Sequence, residues 1–486
     1  MTSFFLTPPK LAKWLLQRIV AKQIRQPVVG DFEEAYQEIA KEDGGLRAAA
    51  WYWGQVICSL PALITHFIYW RIQMFRNYLK ITIRNLAKHK GYSSINITGL
   101  AIGIACCLLV ILYVRDELSY DRYHKKSDRI YRLVTGVRSS AFNAVAKICG
   151  PWGITAARDF PEVENVARFL IMGQTLVAKG ENRFYETSGF YADSTIFKVF
   201  SYRFLQGNPQ TALVAPNSIV ITDNLAQKYF GNENPLGQTL LFDNKDEYRV
   251  TGIIEDVPLN SHFTFSYLVS MSSYSHPMKD DWIKWKQYYT YLLLKGDISP
   301  EVVEAKIPGM LHQNIGEKSA DYSPSLQPLT SIYLHSKLHR EISVNSDIAY
   351  VYIFSAIAFF ILLIACTNFM NLATARATKR AKEVGVRKAA GANRGSLIKQ
   401  FLGEALFFSL LALLIAYILT ALILPLFNTV AGKAFTINEL LQPDLIAVFI
   451  LLSVIVGLIS GSYPAFLLSS FRPVEVLKLS LIHISE

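Results

Sequence analysis

Charge is scarce in this sequence of 486 residues: Asp, Glu, Lys and Arg make up 18%, against 51% for the hydrophobic set, where soluble proteins carry about 25% charged residues. A chain of this length is too long for one ordinary core, and so little charge makes a membrane protein the first reading. Cysteine is also sparse, with five in all. Cys106 and Cys107 adjoin while Cys58, Cys149 and Cys366 stand apart, and neither a disulfide framework nor a CxxC metal knuckle can be drawn from them. The spacings HExxH, GxSxG and GxxxxGK[ST] do not occur, which leaves no zinc-protease, serine-hydrolase or P-loop signature. His335 and His339 lie four apart without the intervening glutamate and read as ordinary surface histidines. Residues 1–30 hold no apolar core of about 7–15 residues, so no cleavable signal peptide is read there and insertion falls to the first span.

The apolar residues are gathered into runs. Segments 95–114, 348–372, 405–427 and 445–470 contain no Asp, Glu, Lys or Arg, and each reaches the roughly 20 residues that cross a hydrocarbon layer about 30 Å thick. Asp347 and Glu404 stand just outside two of them. Ion-coupled transporters place acids or bases within the membrane to hold the coupling ion, so secondary transport is not expected of spans this bare. Gly99-x-x-x-Gly103 and Gly457-x-x-x-Gly461 permit close helix packing, either inside the chain or between copies.

The net charge of +11 could signify nucleic acid, anionic lipid or cytoplasmic loops. Its location decides. Arg71, Arg76, Lys80, Arg84, Lys88 and Lys90 lead into the first span without an acid among them. Arg376, Lys379, Arg380, Lys382, Arg387, Lys388, Arg394 and Lys399 follow the second span against Glu383 alone. By the positive-inside rule both stretches are cytoplasmic, which puts 1–94, 376–404 and 471–486 inside and 115–347 and 428–444 outside. No base-reading motif accompanies the basic stretches, so no nucleic-acid partner is expected.

The expected fold class is therefore a membrane α-helical protein of four transmembrane helices, with a large α+β extracytoplasmic domain between the first and second spans. Within 115–347, runs at 218–222, 238–242, 248–254 and 290–295 read as strands, and Thr222 reads as the N-cap of a helix stopped by Gly231. The first 47 residues read as a helical module: Leu11, Trp14, Leu15 and Ile19 keep helical spacing, Asp31-x-x-Glu34 looks like the start of a second helix, and Gly44-Gly45 like its end. Segment 51–70 is uncharged but has positive charge on both sides and Gln55, Pro61 and His66 within it, which favours an interfacial or buried hairpin over a fifth span.

The loop 376–399, RATKRAKEVGVRKAAGANRGSLIK, predicts a short surface helix over about 376–390 ended by Gly391. Its Glu383, Val384, Gly385, Val386, Arg387, Lys388, Gly391 and Ala392 match the E-[IV]-G-[VI]-R-[KR]-x-x-G-A pattern, and here the sequence resembles FtsX/MacB-like ABC transporter permeases. The resemblance covers nearly the whole chain. Residues 77–114 and 116–133 are similar to the family's first span and stalk, SIVITDNLAQKYFGNENPLGQTL and YRVTGIIEDVPLNSHF to its extracytoplasmic core, 7–16 and 30–36 to the N-terminal permease prefix of some members, and FRPVEVLK at 471–478 to the segment after the fourth span.

The domains this implies are a cytoplasmic or interfacial prefix (1–70), a basic lead-in with the first span (71–114), a MacB-like core domain (115–347), an FtsX-like permease domain with three spans (348–478) and an atypical tail (479–486). The resemblance further implies a non-catalytic permease subunit of an efflux or mechanotransmission system in the bacterial inner membrane, without a cofactor or metal. A separate cytoplasmic ABC ATPase would dock on the eight signature residues. A second permease copy, membrane lipid, and a periplasmic adaptor or hydrolase are the other implied partners. The alternative is a signalling scaffold that activates an external hydrolase or sensor and moves no substrate. Many prefix-bearing members continue into a second permease half, so the chain is expected to act as a homodimer or as one half of a pair.

Overall fold

The computed structural model describes residues 7–20, 25–138, 144–296, 298–375 and 377–471. The chain divides into two compact units, Met1–Leu109 with Ala358–Glu486, and Val110–Ile357. The tail 479–486 lies outside the described residues, as does Arg376.

Among the described residues four helices are long and apolar enough to cross a membrane: Lys90–Ser119, Ile348–Ala375, Arg394–Ala431 and Pro443–Ser470, with 30, 28, 38 and 28 residues. Each contains one of the four uncharged runs and extends past it. A backbone in hydrocarbon has no water to bond, and a continuous helix is the form that satisfies it internally. The third helix begins outside its apolar run because Asn393 caps it there, Oδ1 accepting the N–H of Ser396 at 2.9 Å.

Both glycine pairs serve contacts within the chain. A Cβ on Gly103 would stand 2.9 Å from the Cβ of Ala365 in the second span, and one on Gly457 would stand 2.5 Å from Oγ of Ser409 in the third. Gly461 lies closer still, against Ala405, while Gly99 is looser, 3.4 Å from Nδ2 of Asn368. Without a hydrophobic drive between helices in lipid, such close backbone approach supplies the packing.

The N-terminal helices are Lys10–Ile19, Arg25–Glu42 and the start of Gly45–Lys88. Leu16, Tyr36, Tyr52 and Val56 bury together, with the Tyr52 ring edge-on to Phe32 and Tyr36 at 6.0 and 5.8 Å. The second helix starts at Arg25, six residues before Asp31, which lies in its interior. Pro27 falls in the first turn, where a missing N–H costs nothing, so the helix can begin earlier than the capping pattern suggests. Gly44, at φ +87°, ends it. Segment 51–70 is no hairpin: it lies within one helix of 44 residues that also crosses the boundary drawn at residue 70. Trp51 and Tyr52 belong to the packing of the N-terminal helices rather than to a separate segment, and the hydroxyl of Thr65 bonds the carbonyl of Pro61 at 2.9 Å, in the turn after the proline.

The second unit is a mixed sheet flanked by short helices. Its strands run in the order Tyr322–Pro328, Ile130–Val137, Lys286–Leu294, Val163–Ile171, Gly189–Ala192, Tyr267–Ser270, Ser218–Thr222, Asp246–Ile254, Thr239–Phe242, Thr175–Lys179 and Asn182–Glu186. Most neighbours are antiparallel, but Gly189–Ala192 with Tyr267–Ser270 and Ser218–Thr222 with Asp246–Ile254 are parallel. The four expected strands are present at Ser218–Thr222, Thr239–Phe242, Asp246–Ile254 and Lys286–Leu294. The helix Asp223–Phe230 is capped by Thr222, whose hydroxyl accepts from the N–H of Leu225, and is followed by Gly231 at φ +57°.

The first strand after the first span, Ile130–Val137, pairs antiparallel with the last strand before the second span, Tyr131 opposite Pro328 and Val137 opposite Tyr322. The outgoing and returning chains thus lie side by side at one end of the sheet. Arg132, fully buried there, donates to both carboxylate oxygens of Glu341 at 2.6 and 2.8 Å and to Gln327 at 2.7 Å. A guanidinium without water needs such a set of acceptors.

Candidate functional site

The loop after the second span forms the helix Ala377–Ala389. It ends in a Schellman arrangement: the N–H of Ala392 donates to the carbonyl of Arg387 at 2.9 Å and that of Gly391 to Lys388 at 3.0 Å, with Gly391 at φ +92°. An L-residue resists that backbone conformation, which explains the glycine in the signature. Asn393 then starts the third span helix, so the chain reverses between the two within a few residues.

The signature residues divide by face. Val384 is 1% exposed and Gly385 is buried, together with Ala381 on the same side. Val386 is 60% exposed, and Glu383 is exposed beside it. Glu383 pairs with Arg387 one turn on at 2.6 Å, and Arg387 also donates to Oε1 of Gln400 in the third span helix at 2.5 Å. Lys388 turns away from solvent: its Nζ donates at 2.8 Å to the carbonyl oxygens of Ser469 and of Phe471, at the very end of the fourth span. The last carbonyls of a helix lack an intrahelical partner, and a cation is the favoured group at a helix C-terminus.

One interaction here could not be seen in the sequence. Arg380 reaches Glu404 at the head of the third span with Nη2 to Oε1 at 2.6 Å and Nη1 to Oε2 at 3.0 Å. Its guanidinium also lies 5.8 Å from the ring centroid of Phe401. Burial works against the charge of Arg380 while the carboxylate of Glu404 favours it, and the balance holds its pKa above the ordinary arginine value. The two residues are 24 positions apart in sequence. The one sequence signal was Glu404 itself, a lone acid at the lip of an uncharged run.

The helix is therefore tied on one side to the third span through Arg380 and Arg387 and to the fourth through Lys388, and it presents Glu383 and Val386 on the other. Gly99, Gly103, Gly457 and Gly461 take no part in this surface. Among the described residues no group of three His, Cys, Asp or Glu could hold a metal ion, and His335 and His339 are exposed.

Two family models match the chain, the MacB-like periplasmic core domain over residues 93–309 and the FtsX-like permease C-terminal over 355–473. Similar relatives include the macrolide export ATP-binding/permease protein MacB of Aggregatibacter actinomycetemcomitans, 30% identical over 198 residues, which are 40% of this chain and 28% of the relative. The protein of the same name from Psychrobacter arcticus is 26% identical over 280 residues, 56% of this chain and 39% of that one. The chain thus spans less than half the length of either. Among solved structures, the periplasmic region of MacB from Actinobacillus actinomycetemcomitans shares 16% identity at a TM-score of 0.32, covering 42% of this chain and 91% of that one. The extracellular domain of the noncanonic ABC-type transporter YknZ from Gram-positive bacteria shares 13% at 0.31, covering 41% and 99%. With both domain matches in chain order and four apolar helices placed around them, the chain belongs to the FtsX/MacB-like ABC transporter permease family, as a multi-pass inner-membrane protein with its core domain in the periplasm.

Proposed function

We propose that this ABC-type permease component is a non-catalytic subunit that couples a separate cytoplasmic ATPase to the periplasmic core domain. The observation that carries the reading is the two-sided helix Ala377–Ala389, with Val386 exposed and Arg380 and Lys388 bonded to the third and fourth spans. Hydrolysis in the partner pushes on the Glu383 and Val386 face, and the bonds behind it carry the displacement into the spans. Lys388, Val384 and Gly385 serve by holding the helix in place, since they face inward. Two copies of the permease pair around an ATPase dimer, with an adaptor or hydrolase outside as the receiver. The relatives' name supplies macrolides as the first cargo class to try. The reading predicts that an ABC ATPase subunit co-purifies with the tagged full chain from its host membrane and that the complex hydrolyses ATP. Recovery of the chain free of any ATPase, under conditions that keep it folded, overturns it.

A further inference from the structure

The helix of the first span ends at Ser119 and that of the second begins at Ile348. The outgoing arm after the one and the returning arm before the other converge on a single buried histidine in a third segment of the chain. His262 is fully buried. Its Nδ1 lies 2.8 Å from Oδ1 of Asp121 on the outgoing arm, and its own N–H donates to the same oxygen at 3.2 Å. Its Nε2 lies 2.7 Å from the hydroxyl of Tyr291 in the strand Lys286–Leu294, and its carbonyl oxygen accepts from the hydroxyl of Ser343 on the returning arm. One residue thus bonds both arms and the sheet, through both ring nitrogens and both backbone groups.

Asp121 is held at φ +60°, a backbone conformation that an L-residue keeps only where its surroundings over-determine it. The N–H of Asp121 donates to the carbonyl of Asn260 at 2.9 Å, and the hydroxyl of Ser261 donates to its carboxylate at 3.2 Å, so the loop 260–262 grips it from three sides. A second link closes the ring directly between the arms: the hydroxyl of Tyr333 donates to Glu117 at 3.1 Å, and the rings of Tyr120 and Tyr333 stack at 3.4 Å. Neither link is needed to build the sheet, whose ladder already pairs the two arms further on.

We propose that His262 is a positioning residue, a tie that holds the outgoing and returning arms of the core domain together at their root, beyond the reach of the strand ladder. Its consequence for transmission rests on the coupling reading above. Its test does not, because no ATPase is involved: absence of a co-purifying ATPase would sink that reading and leave the tie standing.

Hydrogen exchange of the full chain in lipid nanodiscs, read by mass spectrometry, measures the tie. Ser343→Ala removes the hydroxyl on the returning arm and touches nothing on the outgoing one. The amides of 117–124 are expected to exchange about fivefold faster in that variant, the factor that losing one ordinary hydrogen bond gives. Tyr291→Phe is expected to speed both arms together. In both variants, the strand Ser218–Thr222 should keep its wild-type rate. Faster exchange confined to the mutated arm shows two independent arms and overturns the proposal. So does an equal acceleration in Ser218–Thr222, which marks general loosening instead of a specific tie.

Discussion

Arg380 on the cytoplasmic surface helix and Glu404 at the head of the third span form a bidentate pair, at 2.6 and 3.0 Å, with Glu404 almost wholly buried. Removing one partner of a buried pair leaves the other charge without compensation, and that loss is larger than the net worth of the pair itself. Arg380→Ala is therefore expected to destabilise the chain by about 3 kcal/mol. The Arg380→Leu, Glu404→Leu double variant should cost clearly less than Arg380→Ala, because no lone charge remains. Thermal melting of the three proteins in the same nanodiscs checks the order, and a double variant worse than Arg380→Ala contradicts it.

The glycine pairs give a contrast within one motif. Gly461 faces Ala405 with no room for a Cβ, whereas a Cβ on Gly99 would make ordinary contact with Asn368 at 3.4 Å. Gly461→Val should cost about 1–3 kcal/mol by overpacking. Gly99→Ala should be neutral or stabilising, since alanine is the better helix former by up to about 1 kcal/mol. Both contacts lie inside the chain, so neither substitution should shift the oligomeric state seen by light scattering. A Gly461→Val protein that melts like wild type but falls from dimer to monomer would place that face between copies instead.

Acid should loosen the core domain near its root. Burial drives the pKa of His124 down to about 3, opposed by nearby Asp121 and helped by His262. The unfolded chain takes up that proton at about 6.5. Between about 6.5 and 3 the unfolded state binds a proton that the folded state refuses, so stability falls as pH drops through this window, by on the order of 1 kcal/mol per unit. The N–H of Ser201 donates to Nδ1 at 3.1 Å, and His124→Asn supplies an acceptor in its place without the titration. Melting at pH 7 and pH 5 should differ less in that variant than in the wild type. An unchanged difference assigns the acid sensitivity elsewhere.

What was legible in the sequence follows from which forces act locally. The spans were readable because lipid excludes charge over a continuous stretch, and Thr222 and Gly231 marked their helix because capping acts within a few residues. The surface helix and its turn at Gly391 were readable for the same reason. The start of the helix at Arg25 was not, since Pro27 in a first turn looks like a break. Nor was the continuity of the helix Gly45–Lys88 through Pro61, because a proline inside a helical pattern reads as a break. The pairing of Arg380 with Glu404 and the bonds of Lys388 to Ser469 and Phe471 join positions 24 to 83 residues apart, and no spacing rule reaches that far. They also put Nζ of Lys388, one of the eight signature residues expected to meet the ATPase, on the carbonyls at the end of the fourth span.

Val386 is the residue on which docking of a cytoplasmic ATPase to the exposed face of the helix Ala377–Ala389 can be tested without disturbing the permease. Its side chain is exposed, so Val386→Glu should leave melting in nanodiscs unchanged within experimental error. The measurement is the amount of a co-expressed ABC ATPase retained on the tagged full chain, for wild type against Val386→Glu. Burying an unpaired carboxylate at an interface costs a few kcal/mol, so retention should fall by roughly tenfold or more. Retention equal to wild type, with the chain equally folded, contradicts the assignment of this face to the ATPase.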